Sequence, residues 1–188
     1  MKILGRVLTA IFSFAVFPWA FFVGAFRYYV VTPEEVYFPD NLSIKQLIEL
    51  LVNNPNSADE LSQTFKLIMP YAIAFAVLFV LTLLSAATIF VMSIVSYKRK
   101  AIQCIAWIGI ALFFVANLVF FGLSDVILEN SIDLGMVLGN TFGDTTGGAE
   151  YHVFMTDGIR FISKFLLVTT FANIEPKKKK AEAEEEKT

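Results

Sequence analysis

Asp157, Arg160 and Lys164 combine residue types and spacings that could do chemistry. An aspartate three residues ahead of an arginine can pair with it on one helix face, and a lysine four residues further on falls nearly in line. Glu150, Asp157 and Lys164 also recur at steps of seven. Between them, Ile159, Phe161, Ile162, Phe165 and Leu166 are apolar, so the charges would form a stripe on an otherwise oily helix. Such a stripe can line an ion or solute path, or dock an oppositely charged partner. It can also simply snorkel along a wet groove.

Other reactive groups are sparse. His152 is the single histidine, beside Glu150 and Tyr151. A zinc site needs three or four ligands, so an interfacial histidine is the simpler reading and no metal is expected. Cys104 is the single cysteine, which excludes an intrachain disulfide and sets the chain apart from four-helix families stapled by cysteine pairs. Gly139, Gly143, Gly147 and Gly148 fit neither a Walker loop nor a dinucleotide fingerprint, and they read as a connector. Asn41-Leu42-Ser43 matches a glycosylation pattern, but a turn and helix cap suit it equally. No base stands beside a nucleophile, so no catalytic residues, enzyme activity or cofactor are expected.

The elements that must position the charged stripe are membrane helices. Of the residues, 56% are hydrophobic and only 17% charged, with 20 Phe and a mean hydropathy of +0.65. A soluble domain carries about a quarter charged residues. Residues 7–26 contain no charge, which matches the ~20 residues that cross a ~30 Å hydrocarbon core. Pro18 should kink that helix. The rival reading makes residues 1–25 a cleaved signal peptide, although Trp19, Phe21 and Phe22 crowd its cleavage site. Residues 67–96 and 101–124 are two further uncharged runs joined by Lys98, Arg99 and Lys100, a helical hairpin with a cytoplasmic turn.

The expected fold is an all-α integral membrane protein: a four-transmembrane-helix bundle with short extracytoplasmic helices. A cytoplasmic N-terminus (1–6) leads into transmembrane helix 1 (7–31), then an extracytoplasmic loop with a short amphipathic helix (32–66). Transmembrane helix 2 (67–97), the basic turn (98–100) and transmembrane helix 3 (101–124) follow. An acidic, Gly-rich outer loop (125–150) precedes the charged helix 4 (151–174) and a disordered cytoplasmic tail (175–188). In the first outer loop, Ser43 can cap a helix whose apolar face is Ile44, Leu47, Ile48 and Leu51. Ser57-Ala58-Asp59-Glu60 resembles a capping box that opens a helix running into the second span.

Charge arbitrates whether 151–174 spans or lies flat. With four spans, ten Lys/Arg fall inside, three outside and two within the fourth segment. A flat segment would strand Lys177, Lys178, Lys179 and Lys180 on the far side, against the positive-inside rule. If it spans, Arg160 and Lys164 fall near its midpoint. There each charge costs at least ~2.5–3.5 kcal/mol, and the first three spans hold no carboxylate to pair with Lys164. These features suggest a non-catalytic subunit, scaffold or assembly factor of a membrane complex, its partners the lipid bilayer and another membrane protein or a second copy. A small oligomeric transporter or channel is the alternative. Both termini are expected in the cytoplasm, a bacterial inner membrane is slightly favoured, and no nucleic acid is expected as a partner.

Overall fold

The structure is a computed structural model and describes residues 2–31, 36–37, 42–43, 61–130 and 150–174. The chain is mostly helical, with α1 (Lys2–Phe22), α2 (Leu61–Val95), α3 (Arg99–Glu129) and α4 (Asp157–Ala172). The first three are long and apolar enough to cross a membrane. The described residues also include four strands: β1 (Gly24–Val31), β2 (Val36–Tyr37), β3 (Leu42–Ser43) and β4 (Glu150–Met155).

The sheet corrects the all-α expectation. α1 stops at Phe22 rather than continuing to residue 31, because Gly24 is a poor helix former and the Phe26–Val31 sequence favours an extended chain. β1 pairs antiparallel with β4 along six residues, from Phe26↔Met155 to Val31↔Glu150. Its other edge holds β2 and β3. Ser43 therefore lies in a strand. Cleavage near residue 25 would cut inside the central strand of this sheet.

The fourth helix is likewise shorter than 151–174. It starts only after Thr156, whose hydroxyl accepts a hydrogen bond from the Ile159 amide at 3.4 Å, and Asp157 sits favourably in the first turn. Sixteen residues make about 24 Å of helix. The other helices start earlier than expected. α2 begins at Leu61, as a helix running into the second span would, ends at Val95 and contains Pro70. Arg99 and Lys100 already belong to α3, which continues to Glu129. The capping box, the amphipathic stretch 44–51, the Gly-rich stretch and the lysine-rich tail lie outside the described residues.

The helices form a closed ring of neighbours: α1 beside α2 and α4, and α3 beside α2 and α4. All four sheet-side helix ends lie together, and so do all four ends near the Ser96–Lys98 turn. At the sheet end, Phe26 of β1 reaches between α2 and α3. Its ring stacks on Phe120 at 5.2 Å and meets Phe75 edge-on at 5.8 Å. At mid-length Gly109 lets three helices close up, since a Cβ there would stand 3.1 Å from Leu166 and 3.2 Å from Ser85. The outward faces remain apolar and exposed, as at Phe14, Leu84, Val91 and Phe114.

Candidate functional site

α4 places the charged trio. Its buried side is Ile159, Ile162, Leu166, Thr169 and Thr170, packed on α1 and α3. Asp157, Arg160 and Lys164 lie on the opposite, exposed side. The helix thus buries its apolar residues and leaves its charges outside. Asp157 does pair with Arg160, at 3.2 Å, but with side chains 93% and 45% exposed respectively. An ion pair so open contributes little to stability in water.

Lys164 has a different environment. Its Nζ sits 3.9 Å above the centre of the Phe161 ring, one turn nearer the sheet end. That direction follows from helix geometry, because side chains lean toward the N-terminus of their helix. The antiparallel register between α1 and α4 fixes its level. Asn173 Nδ2 donates to Thr9 Oγ1 at 2.8 Å near one end, and the Thr156 hydroxyl donates to the Gly24 carbonyl at the other. Lys164 therefore stands level with residues 16–18, near the middle of the charge-free run 7–26. Between those ends, the Trp19 indole donates to the Gly158 carbonyl at 2.7 Å and its ring touches Phe161 and Phe165. α4 thus runs antiparallel beside α1, from Ala172 next to Gly5 at one end to Thr156 next to Gly24 at the other.

Among the described residues no charged side chain is buried. Thr82, Ser85, the exposed Thr88 and Asn117 each donate to the backbone carbonyl four residues earlier, and Ser93 to the one three residues earlier. These polar atoms are satisfied within their own helices. A shallow recess next to Arg160 is walled by Asn117, Phe121 and Phe154 and has room for about one water molecule. His152 is a half-buried residue of β4 whose ring stacks on Phe154 at 6.1 Å. Among the described residues no three His, Cys, Asp or Glu side chains gather in a way that could hold a metal. Cys104 is exposed on α3, close to the Ser96–Lys98 turn.

A second polar cluster, at the turn end, escaped the reading of the sequence. Gly5, Thr9 and Ser13 lie four apart on the buried face of α1. Thr9 donates to Gly5 O at 2.7 Å and Ser13 to Thr9 O at 2.6 Å. Asn173, fully buried, gives its second amide hydrogen to Thr169 O at 2.7 Å. The Arg6 guanidinium donates to the Ser93 and Ile94 carbonyls, two of the groups that the end of α2 leaves without helical partners. Small residues at steps of four, beginning at Gly5, were the available signal. This cluster joins α1, α2 and α4 and reads as a structural clasp.

Charge is also divided between the two ends. Among the described residues, the acids Asp125, Glu129, Glu150 and Asp157 stand toward the sheet end together with Arg27, Lys66 and Arg160, whereas Lys2, Arg6, Lys98, Arg99 and Lys100 stand at the turn end with no acid among them. Comparisons of the chain with protein-family models, curated proteins and solved structures give no match.

Proposed function

We propose that the chain is a small, non-catalytic integral membrane protein, a four-helix membrane bundle that serves as a subunit, scaffold or assembly factor of a membrane complex. Both termini lie on the cytoplasmic side and the sheet on the other. The charge division supports that orientation, since Lys and Arg concentrate on the cytoplasmic side of membrane proteins. The antiparallel course of α4 beside α1 supports a fourth span despite its modest length.

One observation carries the docking role: Asp157, Arg160 and Lys164 are presented on the outside of α4, while the buried hydroxyls of Thr82 and Ser85 bond within α2. A conduit needs its polar groups inside; a docking surface needs them outside. Ionisable residues at membrane depth default to a functional reading with a partner.

The test replaces Arg160 and Lys164 by Leu together. Cross-linked complexes are then compared in the source membrane, and cation and proton flux are measured in vesicles of the purified protein. A specific complex lost on substitution, with no flux in either form, is the expected result. A wild-type conductance abolished by the change would contradict docking and favour a small oligomeric channel. Maleimide labelling of cysteines placed in the 177–180 stretch checks orientation, and labelling from outside intact cells would reverse it.

A further inference from the structure

One line down α4 is left uncovered. Phe161, Lys164, Val168 and Phe171 are exposed at steps of three, four and three residues, which keeps them in a single row. That spacing is the seam a second helix packs into. The row is apolar except at Lys164. Arg160 has its carboxylate in Asp157, but among the described residues no carboxylate lies within ion-pair distance of Lys164, whose ammonium rests on the Phe161 ring alone. Lys164 also sits near the middle of the apolar length of the bundle.

Resting on the docking role proposed above, we infer that a membrane-spanning helix of a different protein covers this seam and carries an aspartate or glutamate at mid-depth that pairs with Lys164. A second copy fits poorly. Copies in one membrane share an orientation, so a twofold axis normal to the bilayer would set Lys164 against its counterpart, like charge on like charge in hydrocarbon. Lipid phosphate fits poorly as well. The phosphate layer begins about 15 Å from the bilayer centre. A lysine rooted near mid-depth and leaning one turn outward stops short of it. A carboxylate at the same depth neutralises the ammonium where it stands, and the aromatic and aliphatic side chains above and below supply the packing.

The test uses the whole chain in phosphatidylcholine vesicles with a transmembrane Leu/Ala peptide of ~20 residues bearing one Glu at its centre. Energy transfer from a dye on Cys104 to a dye on the peptide reports association. The centred-Glu peptide should bind about tenfold more tightly than its Gln counterpart, or than a peptide with Glu near one end. Lys164→Met should erase that preference and Lys164→Arg should keep it. Equal binding of the Glu and Gln peptides, or none, overturns the proposal. So does stabilisation by added phosphatidylglycerol that Lys164→Met removes, with no preference for the Glu peptide, since the anion is then a lipid phosphate. Failure of the docking role itself looks different: a Lys164-dependent flux across the same vesicles.

Discussion

At Gly5 an added Cβ would stand 2.8 Å from the Tyr97 hydroxyl and 2.9 Å from the Ala172 carbonyl oxygen. The hydroxyl ends a side chain that can shift a little, but the carbonyl is backbone and moves only if α4 moves. Gly5→Ala should therefore destabilise the protein by about 1–3 kcal/mol, the usual range for overpacking a close contact. Thermal unfolding in detergent measures it, and a variant as stable as wild type would mean that α1 and α4 are less tightly apposed. Asn173→Leu acts on the same clasp by a different route, removing the bond to Thr9 that ties the two helices together. The expected loss is smaller, about 0.6 kcal/mol and at most about 1.7, because polar bonds between membrane helices contribute modestly. The same unfolding measurement ranks the two variants, with Gly5→Ala the more harmful. Neither position was evident from the sequence. Gly5 looked like part of a short basic N-terminus, and Asn173 was one polar residue near the end of a helix. Their roles exist only once α1 and α4 lie side by side.

The long helices were legible because twenty or more residues without a charge have few other stable uses. The basic turn between α2 and α3 was legible because Lys98, Arg99 and Lys100 interrupt two such runs. β1 and β4 were not. Each is a short apolar stretch continuous with a helix, and a ladder whose strands are far apart in the chain leaves no local mark. The charged trio was found by residue type, and its ion pair by spacing. Its direction was not, because the face that α4 turns to its neighbours depends on where α1 and α3 stand. Phe26, 7% exposed and in ring contact with Phe75 and Phe120, is one tie between sheet and helices, beside buried Val153 and Met155 and the Ser124 hydrogen bond to the Val153 carbonyl. Phe26→Ala should cost about 3–5 kcal/mol and should release the sheet before the helices. Hydrogen exchange at the β1 and β4 amides reads this directly, with faster exchange there and little change in the middle of α3. Uniform loosening of strands and helices would mean that sheet and bundle unfold as one unit.

For the whole molecule, three helices long and apolar enough to span make a membrane location plausible, and the proposed orientation rests on the positive-inside rule. The proposed docking role concerns the outer surface. The four described helices surround apolar side chains and the hydroxyls of Thr82 and Thr169, which bond to their own backbones, while the unusual charges stand outside on α4. The central claim is that position 164 faces lipid at mid-depth rather than a watery path. Spin labels placed singly at 161, 164, 168 and 171, with Cys104 replaced by Ser and the protein in vesicles, test this most directly. Relaxation by oxygen, which dissolves in lipid, is compared with relaxation by a water-soluble nickel chelate. High oxygen access with low nickel access at 164, and a smooth gradient along the four positions, is the expected result. Strong nickel access at 164, or no access to either reagent, would contradict it, since the residue would then line water or lie buried in the bundle.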